Sequence, residues 1–552
     1  MTARAAIRGP LRAAAGAAAL ALFVTAPASA QEGEHPGRPV YEQWCAGCHG
    51  TEGAGDGPAA DWMLPRPRDF TKALYQIRTT PSGQLPTDED ILRVIDRGMP
   101  GTTMPGWEGI LSQEERRNLV EYLKTFSPFF ANSPAPEPME FSDAPSSSEE
   151  RIAEGREVYE RVECYRCHGD AGRGEGTSAP TLEDDEDRLI RAADLTENWL
   201  FNGGGTVEEI FRRMRTGLDG TPMPSQSDLI DAGVITEEEL WSLAHYVRSL
   251  SPQRTPPRVR EVVEAGLVPE GSLPSEVDAE AWQGADRFYI PLVAQIIVEQ
   301  RWFHPRVDGI WVQALHDGSE MALRLSWSDP SESPDSAWAD WRTRTLGLLQ
   351  PTADQGIEPA PVPDRISVQF PPEVPEGTER PYFLMGDGAN PVYLWTWEST
   401  GSGAVEEEAR GMTNISAHAD ATQNLASDAV WEDGQWRVLL RRPLDAAEDA
   451  SEIGFTVGEM VPVAFFAWDG DNGEDGTRSA VSSWYFLHLG EETPATVYVA
   501  PVAAMAITAL LGVGVVARAQ KRERESRSGS EGEGRGEGPA RRTGVREEEE
   551  DV

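Results

Sequence analysis

Cysteine and lysine are scarce in this chain of 552 residues, and negative charge dominates. The chain has four cysteines, and its only lysines are Lys72, Lys124 and Lys521. Because a chain of this length can bury cores in the three or four domains expected at ~150 residues each, it needs no disulfide framework. The net charge of −43 argues against nucleic acid as a partner, since its phosphates would be repelled.

The N-terminus has the layout of a secretory signal. Arginines precede an apolar run over residues 13–24, and the small residues Ala28, Ser29 and Ala30 follow it. This order is typical of a signal peptide with its cleavage site. The sequence therefore predicts a cleaved signal peptide over residues 1–30, with an uncleaved membrane anchor as the alternative.

A second apolar run lies near the C-terminus. Residues 493–517 carry no charge and are long enough to cross ~30 Å of hydrocarbon, which predicts a transmembrane helix over residues 495–518. Basic residues follow at once, so the positive-inside rule predicts a cytoplasmic C-terminus. Residues 519–552 are predicted to be a disordered cytoplasmic tail. We therefore expect a single-pass protein of the cell membrane with its bulk in the periplasm.

All four cysteines belong to two copies of one pattern. Residues 45–49 read Cys-x-x-Cys-His, and residues 164–168 repeat this pattern 119 positions later. The same shift carries Met104, in GTTMPGW, onto Met223, in GTPMPSQ, so that each methionine lies 59 positions after the first cysteine of its copy. A tandem duplication is the simplest explanation.

Cys-x-x-Cys-His is the attachment signature of c-type haem. Its two thiols can form thioether bonds to the vinyl groups of one porphyrin, and the next imidazole can then reach the iron. A zinc site would need further Cys or His ligands, but no other cysteine exists. A thioredoxin-like thiol pair would need a βαβ context, which is missing. The sequence therefore predicts two covalently bound c haems.

The segments CHGTEGAGDGPAA and GMPGTTMPGW…LSQEERRNLVEYLKTF resemble the start and the end of class I cytochrome c domains. The resemblance implies two mainly helical cytochrome c domains, over residues 36–130 and 148–252. It implies that haem 1 is attached to Cys45 and Cys48 and ligated by His49 and Met104, and that haem 2 is attached to Cys164 and Cys167 and ligated by His168 and Met223.

Other residues compete for some of these roles. Met99 and Met214 are rival distal ligands, and Pro65 and Pro180 are predicted to supply the carbonyl groups that hold the proximal imidazoles. A methionine on the distal face raises the reduction potential of a haem. With both axial positions occupied, neither iron has an open site for a substrate, which favours electron transfer over bond-making chemistry.

The chain changes character beyond a proline-rich segment over residues 251–276. Of the 17 tryptophans, 12 fall between Trp282 and Trp484, and GIWVQALHDGSEMALRLSW alternates with a period of two around a turn. The sequence therefore predicts a mostly β sandwich over residues 277–492. The acidic run DGDNGEDG, residues 469–476, is interpreted as turns rather than as a calcium loop.

The motifs ALHDG…LRLSW, VQFP and FLMGDG…LWTW resemble the haem-binding gamma subunit of ethylbenzene dehydrogenase and its relatives, over residues 280–490. That family carries electrons for molybdenum enzymes of the dimethyl-sulfoxide-reductase family and binds a b haem through a methionine and a lysine. Met385 matches the methionine. No lysine lies in this region, and Arg478, near the expected position, cannot ligate iron. A histidine could replace the lysine, and four are available: His304, His316, His418 and His488.

A b haem and a haem-free docking module therefore both remain open for the β domain. The leading interpretation of the whole chain is a membrane-anchored dihaem cytochrome c that transfers electrons as a subunit of a molybdopterin oxidoreductase, of the nitrate- or DMSO-reductase kind. One alternative is a haem enzyme, such as a dihaem peroxidase or a dehydrogenase. Another is a redox sensor with a ligand-binding β domain.

Overall fold

The computed structural model describes residues 35–251, 256–348, 360–375, 377, 379–446, 452–491 and 495–530. A helical region comes first, a β-sheet region follows, and one long helix ends the described chain, in the order that the sequence predicts. The predicted signal peptide, residues 1–30, and the end of the predicted tail, residues 531–552, lie outside the described residues.

The first helical unit surrounds the first Cys-x-x-Cys-His pattern. Its longest helix begins at a capping box, in which Ser112 and Glu115 satisfy each other's backbone N–H groups. Tyr41, Ile91 and Leu119 are buried in its core. Its helices are α1 (Arg38–Trp44), α2 (Ala46–His49), α3 (Asp88–Arg97), α4 (Gln113–Lys124) and α5 (Pro128–Asn132).

The second helical unit repeats this plan. Thr236 and Glu239 form the same kind of capping box at the start of its last helix. In its core the rings of Phe211 and Trp241 stack with centroids 3.6 Å apart. Its helices are α6 (Glu149–Arg161), α7 (Tyr165–His168), α8 (Val207–Thr216), α9 (Ser227–Asp231) and α10 (Glu237–Leu250).

The β-sheet region contains 14 strands and one helix, α11 (Ala339–Gly347), among the described residues. The strands are short and mostly antiparallel. They are β1 (Val262–Leu267), β2 (Phe288–Pro291), β3 (Val293–Ala294), β4 (Gly309–His316), β5 (Glu320–Ser328), β6 (Arg365–Phe370), β7 (Val392–Glu398), β8 (Val405–Ala409), β9 (Ile415–Ala417), β10 (Ala426–Glu432), β11 (Gln435–Pro443), β12 (Met460–Trp468), β13 (Ala480–Val481) and β14 (Tyr485–Leu489).

The strands follow the order β10-β11-β5-β4-β1-β14-β12-β6-β7-β8-β9. Strand β12 belongs to two sheets, because residues 460–463 pair with β14 whereas residues 464–468 pair with β6. The main apolar cluster combines side chains of both sheets, such as Leu325 from β5 and Trp395 from β7. The core of this region therefore lies where the two sheets face each other.

The proline-rich segment over residues 251–276 is more than a linker. Strand β1 lies inside it and pairs in parallel with β14 on one side and β4 on the other. Val263 and Ala265 are buried, because alternate residues of this short strand face the core. The sequence predicts that the β-sheet region starts at residue 277, but it begins earlier, with β1.

The final helix is α12 (Ala495–Ser530), and its segment Val499–Arg527 is long and apolar enough to cross a membrane. Its apolar side chains are exposed: 71% of the Leu510 surface is accessible. The helix continues past residue 518, so the prediction of disorder is wrong for residues 519–530. The Lys521–Glu525 and Glu523–Arg527 pairs, each one turn apart, support this extension.

Candidate functional site

Each Cys-x-x-Cys-His pattern forms a single helical turn. In the first, the N–H groups of Cys48 and His49 donate to the carbonyl oxygen of Cys45, at 3.1 and 2.9 Å. In the second, the N–H of His168 donates to the carbonyl of Cys164 at 3.0 Å. Residues three and four positions apart in a helical turn lie on the same side. Both thiols and the imidazole of each pattern can therefore face one prosthetic group.

The cysteine thiols are poorly suited to thiol redox chemistry. None of the four forms a disulfide. Burial raises the pKa of the Cys45 thiol to about 12 and that of the Cys164 thiol to about 12. A redox-active thiol needs a lowered pKa, because the thiolate is the nucleophile. The environment of both patterns thus opposes the thioredoxin-like alternative.

Both histidines are oriented through one ring nitrogen. The Nδ1 atom of His49 lies 3.0 Å from the carbonyl oxygen of Arg68, and Nδ1 of His168 lies 3.0 Å from that of Ala193. When Nδ1–H donates to a carbonyl, Nε2 carries the lone pair that can bind a metal. Burial lowers the pKa of both imidazoles, which favours the neutral, ligating form.

The prediction that Pro65 and Pro180 hold the imidazoles is wrong. The reason lies in a backbone contact that both units share. The N–H of Phe70 donates to the carbonyl of Gly53 at 2.7 Å, and the N–H of Leu195 donates to that of Gly172 at 2.6 Å. Phe70 and Leu195 follow Arg68 and Ala193 by two residues. These hydrogen bonds therefore hold the carbonyl groups of Arg68 and Ala193 within reach of the imidazoles.

Met104 and Met223 occupy equivalent positions in the loops that follow α3 and α8. The carbonyl of Met104 accepts from the N–H of Met99 at 3.0 Å, and that of Met223 accepts from Leu218 at 3.1 Å. Both methionines are half-buried. Met104 packs in the apolar cluster that includes Cys45, and Met223 in the cluster that includes Cys164. Each methionine therefore packs against the same apolar cluster as the first cysteine of its own unit.

The rival methionines lack counterparts that could ligate iron. The hydrogen bond to the Met104 carbonyl comes from Met99, whereas Leu218 makes the same bond in the second unit. Met214 lies on α8 in the core of the second unit, with 5% of its surface exposed. The 119-residue shift matches it with Ile95. Because leucine and isoleucine offer no donor atom, neither rival position is repeated as a possible ligand in the other unit.

Two tyrosines that the sequence does not single out hold the attachment turns. The hydroxyl of Tyr41 donates to the carbonyl of Gly50 at 2.7 Å, and that of Tyr159 donates to Gly169 at 2.6 Å. Tyr41 precedes its first cysteine by four positions and Tyr159 by five. The second unit therefore has one more residue between the tyrosine and the cysteine. It is accommodated at Glu163, whose backbone is left-handed with a φ of 60°. A tyrosine at this approximate spacing is the signal that could have revealed them.

Unpaired donors in the first unit fit a carboxylate-bearing ligand. The hydroxyl of Tyr75 and the indole N–H of Trp107 are enclosed and have no hydrogen-bond partner among the described residues. Both residues pack in the cluster that contains Cys45 and Met104. A haem carries two propionates, which are hydrogen-bond acceptors. The side chains present around this attachment turn therefore suit haem.

The two helical units pack against each other through buried arginine contacts. Arg78 of the first unit is 0% exposed and donates to the carboxylate of Asp219 at 2.6 Å and to the carbonyl of Thr216 at 2.7 Å. Gly101 of the first unit also approaches Leu200 of the second unit closely. A Cβ atom added at Gly101 would lie 2.6 Å from the carbonyl oxygen of Leu200. Gly101 and Asp219 belong to the two methionine loops. Both loops therefore lie at the interface.

Met385 lies in the β-sheet region, remote in sequence from the attachment turns. It is 1% exposed, its φ is 59°, and its N–H donates to the side-chain oxygen of Gln369 at 3.0 Å. A left-handed methionine is uncommon and indicates a local constraint. Arg478, which lies near the sequence position expected for the family's lysine, donates hydrogen bonds to the carbonyl of Gly473 and to the side chain of Gln300.

The four candidate histidines are held differently. His316 is fully buried and its Nε2 lies 2.9 Å from the carbonyl of Gly490. His488 pairs with Glu264 at 2.6 Å. His418 stacks with Tyr393, with ring centroids 5.6 Å apart. Burial lowers the pKa of His304 to about 4. A b-haem site at Met385 stays a prediction.

Models of three known families match successive parts of the chain. The model described as cytochrome c oxidase, cbb3-type, subunit III matches residues 33–123, and the cytochrome c model matches residues 152–251. The ethylbenzene dehydrogenase model matches residues 279–415 and 408–480. Cytochrome c domains hold haem c covalently, so haem c is the cofactor of the helical region.

Individual proteins are similar to parts of this chain. The ORF7 protein of Haloferax mediterranei, which carries the name of a respiratory nitrate reductase haem subunit, is 25% identical over 44% of this chain and 78% of its own length. The chlorate reductase subunit gamma of Ideonella dechloratans is 30% identical over 32% of this chain, and the chain spans 63% of that relative.

A chain of the reducing HAO-like protein complex from Kuenenia stuttgartiensis is 43% identical, with a TM-score of 0.37, over 40% of this chain and 96% of that one. The family models account for the two helical units and the β-sheet region in turn. The chain therefore has two cytochrome c domains and an ethylbenzene dehydrogenase-like domain, and it is a relative of the haem subunits of nitrate and chlorate reductases.

Proposed function

We propose that this chain is a membrane-anchored dihaem cytochrome c that relays electrons for a respiratory oxidoreductase. One observation carries the proposal: two equivalent Cys-x-x-Cys-His turns each share an apolar cluster with a methionine, and both methionine loops lie at one domain interface. Electron transfer between cofactors needs short distances and no bond making. The shared interface of the two methionine loops supports a short distance between the two haems.

In this proposal each side chain has one task. The cysteine pairs 45/48 and 164/167 tether the two porphyrins. His49 and His168 would hold the irons through Nε2, and their Nδ1–H groups donate to the carbonyls of Arg68 and Ala193. Met104 and Met223 would be the second ligands, and their sulfur would raise the reduction potentials. Haem itself supplies the one-electron chemistry, while the chain tethers, orients and shields it.

Haem counting tests the proposal. A double Cys45→Ala/Cys48→Ala variant should lose one c haem per chain and keep the other, because each pattern tethers its own porphyrin. The matched Cys164→Ala/Cys167→Ala variant should do the same. The measurement is a pyridine haemochrome spectrum set against protein concentration. Purified wild-type protein without haem, or with zinc in its place, would contradict the proposal.

Carbon monoxide separates an electron carrier from a haem enzyme. The reduced wild-type protein should not bind carbon monoxide, since His and Met fill both axial positions of each haem. A Met223→Ala variant should bind it, because the substitution opens one iron. The measurement is the change in the Soret band on adding the gas. Stoichiometric binding by the wild type would favour the dihaem peroxidase alternative.

We propose a molybdopterin oxidoreductase as the redox partner. Two observations support it: relatives carry the names of nitrate and chlorate reductase subunits, and the β-sheet region matches the ethylbenzene dehydrogenase model. Affinity purification of the full chain from its native membranes should recover a molybdenum protein in stoichiometric amount. Recovery of the chain without molybdenum would reject this partner.

We propose that α12 crosses the membrane with its C-terminus in the cytoplasm. Its apolar stretch supports a single span, and Arg518, Lys521, Arg522 and Arg524 at its C-terminal end support this orientation. The haem domains would then lie in the periplasm, where c-type haems operate. A protease added to intact spheroplasts should digest the haem domains and spare an epitope at the C-terminus.

A b haem ligated by Met385 is a fourth proposal, supported by its match to the family's ligand and by its left-handed backbone. A Met385→Leu variant should lose a b-type haem signal and keep both c haems. Met412 is the matched control, because it is buried in the same apolar cluster; a Met412→Leu variant should keep every haem. An unchanged spectrum for Met385→Leu would contradict the b-haem proposal and favour the haem-free docking module.

A further inference from the structure

Three aspartates meet at one end of the β-sheet region, far in sequence from one another. Asp329 follows β5, Asp364 precedes β6, and Asp469 follows β12. One carboxylate oxygen of each lies within 4.8 Å of those of the other two. Asp329 and Asp364 are 0% exposed and Asp469 is 2% exposed. Burial of three acids so close together demands a physical explanation.

Two more acids in the same loop are buried beside them. Asp471 and Glu474 are each 1% exposed. Asp471 pairs with Arg342 at 2.5 Å, and Glu474 accepts from the indole of Trp302 at 3.2 Å and from the N–H of Arg306 at 2.7 Å. These two acids are therefore held by neighbours of their own.

Few ion pairs offset the negative charge of the cluster, although Arg191 and Arg306 interact electrostatically with Asp469 at longer range. In the part of the chain that the structure describes, the Arg342–Asp471 pair is the one ion pair within 4.0 Å that involves any of the five acids. Carboxylates at this separation repel one another, and burial disfavours their charged form. A cation bound among the three aspartates would offset this repulsion.

One carboxylate oxygen of the cluster also lacks any partner. Asp364 accepts from the N–H groups of Ser333 at 2.7 Å and Gly470 at 3.0 Å, and Asp469 accepts from that of Asn472 at 2.8 Å. The Oδ2 atom of Asp329, by contrast, is enclosed and has no hydrogen-bond partner among the described residues. Leaving such an atom unsatisfied costs about 1–3 kcal/mol or more. This oxygen is available to a ligand.

We propose that Asp329, Asp364 and Asp469 bind a calcium ion. The donors are oxygen atoms only, which selects a hard cation. Mg²⁺ keeps several of its waters and requires near-octahedral geometry, whereas Ca²⁺ accepts protein oxygens in irregular arrangements. The three aspartates are at most 2% exposed, so an ion bound among them would be largely shielded from water. These properties favour Ca²⁺.

The site explains what the turn interpretation of DGDNGEDG leaves out. Residues 469–476 do turn, since the N–H of Asn472 donates to the carbonyl of Asp469 at 3.2 Å. The same loop also buries three of its four acids, Asp469, Asp471 and Glu474, which a surface turn does not require. Asn472 lies 3.4 Å from the guanidinium of Arg191 in the second cytochrome unit. The ion would therefore order the loop against which that unit docks.

The test is metal analysis of the holoprotein after dialysis into metal-free buffer. We expect one calcium per chain, a lower melting temperature after chelation with EGTA, and its recovery with Ca²⁺ but not with an equal concentration of Mg²⁺. An Asp329→Asn variant should bind calcium at least ~10-fold more weakly. Asp387→Asn, in an exposed turn, is the matched control and should bind as the wild type does.

If Asp329→Asn does not fold, the wild-type titration still decides, because ligand binding raises the melting temperature with concentration. Three results would overturn the proposal. The first is a holoprotein that contains no calcium and whose melting temperature does not respond to about 1 mM Ca²⁺, a concentration in the range of extracellular sites. The second is equal recovery of the melting temperature with Mg²⁺, and the third is unaltered calcium binding by Asp329→Asn. The haem count is measured on the same samples, so failure of the haem proposal is recognised separately.

Discussion

A Met104→His variant should show one haem with a midpoint potential lower by on the order of 0.1–0.3 V, within the ~0.8 V that axial ligands span. Soft thioether sulfur stabilises ferrous iron more than imidazole does, so methionine ligation raises the potential. The second haem should keep its potential, because Met223 is untouched. The measurement is a spectroelectrochemical titration of the full chain.

Met99→His is the matched control for this experiment. Met99 lies in the same loop, and its N–H donates to the carbonyl of Met104. Its counterpart in the second unit is Leu218, which makes the same hydrogen bond without offering a ligand. The control should leave both potentials unchanged. If Met99→His moved the potential and Met104→His did not, the assignment of the distal ligand would be reversed.

An Asp219→Ala variant should destabilise the paired cytochrome domains by about 3 kcal/mol, the lower end for removing one partner of a buried ion pair. The change leaves the guanidinium of Arg78 buried without its carboxylate. It also removes the acceptor for the hydroxyl of Ser82 and the N–H of Gly83, each at 2.9 Å. The measurement is urea unfolding followed by the α band of the c haems, which reports on the cytochrome domains.

Arg97→Ala is the control at the same interface. The Arg97 side chain is 65% exposed and pairs with Glu209 at 3.1 Å, and exposed pairs contribute about 1 kcal/mol or less. It should therefore change the unfolding free energy far less than Asp219→Ala does. Equal effects of the two variants would mean that the interface does not depend on the buried Arg78 contact.

The sequence predicts most accurately what is encoded by neighbouring residues. The attachment turns occupy five consecutive positions, and the capping boxes at Ser112 and Thr236 occupy four. The β-sheet region also follows from alternation along the chain, because strand side chains alternate between faces. Its first strand, β1, was missed because six residues in a proline-rich segment give too short a pattern.

The sequence fails where a backbone atom or a distant partner has the decisive role. The carbonyl groups of Arg68 and Ala193 orient the imidazoles, and every residue has a carbonyl, so no residue type marks these positions. Arg78 and Asp219 are 141 positions apart. The aspartates of the proposed calcium site come from three strand ends, and only the acidic run at 469–476 is visible along the chain.

By itself, the sequence determined the chemistry: the haem c attachment patterns, the matched methionines, the apolar terminal segment and the family resemblance are local features of side-chain type and spacing. Only the tertiary structure decided which methionines lie beside which cysteines, which carbonyls hold the imidazoles, how the two cytochrome domains meet, and which acids share one buried cluster. The physical reason is that a side chain's reactivity belongs to the residue, whereas its distances, burial and partners depend on segments that folding brings together from far apart in the chain.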